Sequence, residues 1–152
     1  MFENFNLNIN GRQNRFIASI VAGVLAAIIL GTLYGVIMHS SNLSSEFALL
    51  YIGVGYLIGN VVKVVGRGVQ RQYEFSWVAV GCTVLAILIG DMVAALGVDI
   101  FFHLNLLGDV YPIVFNGFYN FFENPAVVLG LVIRASSAYM AFFNSRITVN
   151  MR

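Results

Sequence analysis

Charge is scarce in this chain. Lys, Arg, Asp and Glu make up 10% of its 152 residues, against about 25% in a soluble domain. So few charges could not give a core a water-facing cover, and the expected solvent is lipid. Cysteine is limited to Cys82. That rules out an internal disulfide and redox chemistry by a cysteine pair, and Cys82 is read as a small core residue. Histidine is limited to His39 and His103. Both fall in or beside the outward connections, with no Cys or Glu constellation around them. No metal site, no intramembrane haem ligation and no other cofactor is expected. The patterns Ser-His-Asp, His-Glu-x-x-His, Walker and Rossmann are missing. Gly81 and Gly90 are read as helix-packing glycines, not as a phosphate loop. A membrane enzyme would have to draw its catalytic groups from Asp91, Arg134 and the outer acids alone, so no catalytic residue is assigned. No nucleic-acid partner is expected.

What the chain does have is apolar length. Hydrophobic residues make up 59%, and mean hydropathy is +0.85. About 20 apolar residues cross a bilayer core as a helix. Phe16–Met38, Phe47–Val65, Trp77–Leu96 and Pro125–Phe143 meet that length. The first is too long for a signal h-region, and no A-x-A-like site follows it. The expected fold is all-α: one transmembrane domain over 1–152, a four-helix bundle.

The few charges are unevenly placed. Arg12 and Arg15 precede the first span. Lys63, Arg67 and Arg71 lie at or after the end of the second, and Arg146 and Arg152 follow the fourth. The connections His39–Glu46 and Gly97–Asn124 contain no Lys or Arg, and hold Glu46, Asp99, Asp109 and Glu123. By the positive-inside rule the basic side is cytoplasmic. Both chain ends are expected there.

Residues 1–15 are polar and rich in Asn, a tail or a surface segment. Ser40–Ser45 is expected to be a tight outward turn. Gly66–Ser76 is expected to form a basic cytoplasmic loop resting on anionic headgroups. Gly97–Asn124 is long for a connector. It is dense in rings, from Phe101 and Phe102 through Tyr111 and Phe115 to Phe121 and Phe122. Pro112 and Gly117 interrupt any continuous helix. Aromatic rings favour the headgroup boundary. The segment is therefore expected to be an interfacial or re-entrant outer cap, or else a loop lining an entrance or a partner groove. Asn124-Pro125 then opens the fourth span as N-cap and first helical residue.

In lipid, helices associate through close backbone approach at small residues. Ser19, Gly23, Ala27, Gly31 and Gly35 form a stripe at four-residue spacing in the first span. Gly55 and Gly59 pair in the second. Cys82, Ala86, Gly90 and Ala94 line the third, and Ala126, Gly130 and Ala138 share a stripe with Arg134 in the fourth. These faces predict tight packing within the chain or between copies. The expected partners are thus membrane lipids and either a homo-oligomer or a larger membrane complex.

Two charges lie inside apolar stretches. A charge at bilayer depth costs roughly 2.5–3.5 kcal/mol unless paired or wetted. Counted from the outer ends of their spans, Asp91 and Arg134 differ in depth by about 6 Å, within reach of an Arg side chain. They are expected to pair, in a bidentate fork. The pair reads either as a structural register lock, or as a site where Arg134 holds an anion, or as proton coupling through Asp91. Asn60 is expected to add an interhelical hydrogen bond, and Thr32 and Thr83 to bond back to their own helices.

The run Tyr56-Leu57-Ile58-Gly59 through Gly66-Arg67-Gly68, with Gln72-Tyr73 and Ala79-Val80 after it, resembles a pattern in uncharacterised small bacterial multi-span proteins. There a glycine-containing span ends in a basic glycine turn before the next span starts. The resemblance implies a bacterial inner-membrane setting and no activity. Small multidrug transporters carry a Glu in the first span, which Phe16–Met38 lacks. The expected role is a non-enzymatic accessory or assembly subunit. The alternative is a small oligomeric channel or transporter with Arg134 and Asp91 lining the pathway.

Overall fold

The computed structural model describes residues 12–41, 49–66, 72–101 and 125–146. These form helices α1 (Arg12–Ser41), α2 (Leu50–Val65), α3 (Gln72–Leu96) and α4 (Pro125–Asn144), with a short 3₁₀ turn at Val98–Phe101. No strand occurs among the described residues. Most of the tail over 1–15, most of the turn at Ser40–Ser45, the start of the second apolar stretch at Phe47, residues 67–71 of the basic loop and nearly all of the Gly97–Asn124 segment lie outside the described residues.

The helices overrun the apolar stretches where flanking residues can still make backbone hydrogen bonds. α3 starts at Gln72, ahead of Trp77, and Phe75 and Ser76 in that added turn are buried. α2 closes at Gly66, whose N–H donates to the Val62 carbonyl at 2.9 Å. α3 closes at Gly97, with φ +75° and its N–H on the Val93 carbonyl at 2.8 Å. This is the left-handed cap that glycine adopts without a side-chain clash. Two helices, over Asn14–Ser40 and Tyr73–Leu96, are long and apolar enough to cross a membrane. Leu50–Val65 and Val128–Asn144 are shorter apolar helices.

Contacts along the helices fix their relative directions. Phe16 meets Phe75 edge-on at 5.7 Å, Gly23 faces Cys82, Gly31 faces Ala86, and Gly35 faces Val93. Residue numbers rise together, so α1 and α3 run parallel. Gly55 faces Ser137 and Gly59 faces Ala141, so α2 and α4 run parallel too. α1 and α2 run in opposite senses, since Tyr34 packs on Tyr51 and Gly23 lies near Val62. The two most extensive interfaces are these parallel pairs, α1 with α3 and α2 with α4.

The small-residue stripe of α1 is spent inside the chain. Ser19 and Ala27 are fully buried. A Cβ added at Gly31 would stand 2.6 Å from the Ala86 carbonyl oxygen, and one at Gly35 would stand 2.5 Å from the Val93 Cβ. Ala86 is fully buried on the opposing face. Bulky residues point the other way: Ile17, Val21, Leu25, Ile29 and Leu33 are all more than half exposed. The pattern puts small residues inside and large apolar ones outside.

Two glycines differ from their sequence reading. Gly81 has no described atom within 4 Å of an added Cβ, so it packs against no described helix. Gly130 would meet only the Nη1 of Arg134, at 3.0 Å. Its missing side chain makes room for the guanidinium rather than for another helix. The packing face of α4 runs instead through Ile133, Ser137, Ala141 and Ser145, all buried, while Ala138 lies at its flank half-buried.

Candidate functional site

One residue from each helix meets in a single cluster: Tyr34 of α1, Tyr51 of α2, Asp91 of α3 and Arg134 of α4. Helical side chains lean toward the N-terminus of their helix. Arg134 therefore extends back along α4 over Gly130, toward α3. Its Nε donates to Asp91 Oδ2 at 3.2 Å and its Nη2 to Asp91 Oδ1 at 2.9 Å, a two-pronged contact, with Nη2 also 3.0 Å from Oδ2. Tyr51 donates its hydroxyl to the same Oδ1 at 2.6 Å. The carboxylate of α3 thus receives side-chain donors from two other helices, α2 and α4.

The tyrosines complete the cluster. The Tyr34 and Tyr51 rings lie 4.0 Å apart between centroids, and the Arg134 Cζ lies 5.7 Å from the centre of the Tyr51 ring. Gly90 permits this: a Cβ there would stand 3.0 Å from Tyr34 and 3.1 Å from the Tyr51 oxygen. Below the cluster, Ser137 donates to the Tyr51 carbonyl at 2.5 Å, so α2 and α4 are tied by backbone as well as by side chain. Gly55 lets Ser137 come this close, its backbone seated directly on the Ser137 carbonyl.

These contacts decide what the site can do. An ionised carboxylate offers roughly four acceptor positions. The Tyr51 hydroxyl and the three guanidinium contacts occupy them, so Asp91 has little capacity left to act as a base toward a substrate. The ion pair is not fully enclosed: the side chains are 36% exposed at Arg134 and 25% at Asp91. Burial of the pair is thus less complete than its place in the apolar stretches led us to expect. Among the described residues the hydrogen bonds of the guanidinium are made by Nε and Nη2, and Nη1 makes none. Cys82 is buried against Gly23. Among the described residues no cluster of His, Cys, Asp and Glu could hold a metal ion.

Other polar side chains staple the helices away from the cluster. His39 Nδ1 lies 3.2 Å from the Ala94 carbonyl, joining α1 to the end of α3. Thr32 and Thr83 donate to their own helices, at Ile28 and Ala79. No described hydrogen bond joins Asn60 to another helix. That amide role falls to Asn144, which donates to the Tyr56 carbonyl at 2.9 Å. His103 lies outside the described residues, as do the side chains of Ala126 and of the acids Glu46, Asp109 and Glu123.

Sequence reasoning missed Tyr34, Tyr51 and Ser137. A signal was present: a hydroxyl set among aliphatic residues must find a partner, and Tyr51 sits one helical turn from the start of its apolar stretch. Ser137, Ala141 and Ser145 also repeat at four-residue spacing. Tyr51→Phe removes one of the donors to Asp91. It is expected to lower stability by about 1.5 kcal/mol, the scale for a hydrogen bond to a charged group. Unfolding in mixed micelles measures this, with the exposed Tyr139→Phe as an unaffected control.

No known protein family matches the chain, and neither a curated protein nor a solved structure is found to be similar to it. The geometry alone must carry the functional reading.

Proposed function

We propose that the chain is a four-span integral protein of a bacterial inner membrane, with both ends cytoplasmic. Its helices form a bundle, and it acts as a non-enzymatic accessory or assembly subunit through helix packing and through contacts with lipids or partners. The inside-out distribution of size supports the membrane setting. Only 22% of the apolar window in α1 and 39% of that in α3 is buried within the protein, whereas the core helix of a soluble protein is mostly buried. Water would have to wet Leu25, Leu33, Leu129 and Val132, each more than half exposed. Lipid meets them without penalty, and small residues then mediate the packing. The small-residue stripes of α1 and α2 are occupied within the chain. A homo-oligomer or larger complex would therefore use the bulky outer faces.

The observation that carries the subunit role is the saturated carboxylate. Asp91 is held by Tyr51 and Arg134 at once, so the cluster fixes the register of α2, α3 and α4 and has no evident turnover chemistry. In this reading the cluster lies in the outer half of the bilayer, because Tyr51 sits at the outward start of α2. Purification from native membranes after cross-linking is expected to recover the chain in a defined complex, and Arg134→Leu to disperse that complex.

The one-third exposure of Arg134, with no described residue bonded to its Nη1, favours a second reading, a small oligomeric channel or transporter with Arg134 and Asp91 on the pathway. Liposome flux separates the two. If Arg134→Leu keeps the fold and oligomer size but abolishes anion flux, the transport reading stands. If wild-type liposomes carry no flux above protein-free ones, it fails.

A further inference from the structure

A second cluster lies at the opposite end of the molecule, and neither reading of the ion pair uses it. Arg146 follows the end of α4 and is exposed. Its guanidinium carbon lies 4.7 Å from the centre of the Phe142 ring and 6.0 Å from that of Tyr73. Phe142 in turn meets Trp77 edge-on at 5.8 Å. Tyr73 and Trp77 stand one turn apart on α3 and are 70% and 68% exposed. Tyr73 and Trp77 come from α3, Phe142 from α4 and Arg146 from just beyond it, next to the end of α2, where Gly66 packs on Phe75.

The chemistry of this cluster is one-sided. A cation over aromatic rings is held by its charge; among the described residues no hydrogen bond takes up the guanidinium N–H fork, which suits a planar or tetrahedral oxyanion. The Tyr73 hydroxyl and the Trp77 indole N–H add donors. Lys63, in the last turn of α2, adds positive charge at the same end. The one acid beside the cluster in sequence is Glu74, adjacent to Tyr73 on the first turn of α3. Oxyanion donors and exposed ring faces sit side by side, and that combination matches a molecule with a phosphate head and apolar chains.

We propose that Tyr73, Trp77, Phe142 and Arg146 form a binding site for one anionic phospholipid. The phosphate lies on the Arg146 fork and an acyl chain runs along Trp77 and Phe142. The proposal rests on the four-span reading, which places this end at the cytoplasmic headgroup layer, where anionic lipid is attracted to basic residues.

The chain's only tryptophan is Trp77, so its fluorescence reports this site directly. The protein is placed in phosphatidylcholine nanodiscs. A small fraction of the lipid is then replaced by brominated-chain phosphatidylglycerol or, separately, by brominated-chain phosphatidylcholine. The anionic lipid is expected to occupy the site about fivefold more readily, the factor for one basic residue near an anionic surface. Arg146→Gln is expected to abolish that preference without changing the unfolding temperature, and Arg146→Lys to retain part of it. Equal quenching by the two lipids would overturn the site while leaving the four-span reading intact. Displacement of the brominated lipid by inorganic phosphate would assign the donors to a soluble anion and overturn the lipid assignment. No quenching by either lipid would overturn both the site and the membrane placement it rests on.

Discussion

Replacing Asp91 or Arg134 alone by leucine is expected to destabilise the protein by about 3 kcal/mol, and replacing both together by much less. Removing one partner strands a charge among apolar neighbours. For a fully buried pair that costs 3–5 kcal/mol, whereas exchanging both charges for apolar groups is often neutral. The one-third exposure of Arg134 puts the expectation at the lower end of that range. The two singles differ in detail. Asp91→Leu leaves the guanidinium and the Tyr51 hydroxyl both without their acceptor. Arg134→Leu leaves a carboxylate that still receives the Tyr51 hydroxyl at 2.6 Å. Asp91→Leu should therefore be the costlier change. Equilibrium unfolding of the wild type, both singles and the double in mixed micelles gives the coupling. With each single at about 3 kcal/mol and the double well below that, it is expected to exceed the ~0.5–3 kcal/mol range usual for residues in contact. Additive losses in the double variant would mean that the two charges do not depend on each other.

The second large effect is a contrast among glycines. Alanine at Gly31, Gly35 or Gly55 places a methyl group where the opposing helix already stands. At Gly31 the obstacle is the Ala86 carbonyl, at Gly35 the Val93 side chain with the Gly90 carbonyl 2.8 Å away, and at Gly55 the Ser137 backbone. Backbone cannot rotate aside as a side-chain tip can, so the helices must separate. Each change is expected to cost about 1–3 kcal/mol, the scale for overpacking. Gly53 and Gly81 have no described atom within 4 Å of an added methyl. Alanine there is expected to stabilise its helix by up to about 1 kcal/mol through propensity alone. Thermal unfolding of the five single variants checks the contrast. A uniform response would show that the close parallel contacts of α1 with α3 and of α2 with α4 do not hold the protein together.

Much of this was legible in the residues. Apolar length marked all four helices. The inner limits were missed at α3, because hydropathy records where apolar residues stop and not where backbone hydrogen bonds stop. Gln72 to Ser76 are helical yet mostly polar or aromatic. The small-residue stripe of α1 was visible because five positions at one spacing are hard to read any other way. In α4 the same reasoning selected Ala126, Gly130 and Ala138, whereas Ile133, Ser137, Ala141 and Ser145 face the other helices. A helix apolar on every side has no polar face to orient it, and two candidate stripes of small residues then compete on equal terms.

The acid–base cluster was half legible. Depth counting brought Asp91 and Arg134 within about 6 Å of one another, because rise per residue is fixed. It could not place Tyr34 and Tyr51. Their position follows from α1 and α2 running in opposite senses beside α3, and from Gly90 clearing space for two rings. Such three-helix geometry leaves no trace in any one stretch of sequence. Asn60 and Asn144 illustrate the same limit: both lie near helix ends, and only the parallel alignment of α2 with α4 brings Asn144 to the Tyr56 carbonyl.

Cysteine labelling in sealed right-side-out membrane vesicles tests most directly whether the chain crosses the bilayer four times, as proposed. In a Cys82→Ala background, single cysteines are placed by Asn10→Cys, Asn42→Cys, Asn116→Cys and Asn150→Cys and challenged with an impermeant thiol reagent. The four-span account predicts that the cysteines at 42 and 116 react at once, and that those at 10 and 150 react only after the vesicles are opened. Reaction of the cysteine at 10 and protection of that at 150, or the reverse, would put the two ends in opposite compartments and contradict it.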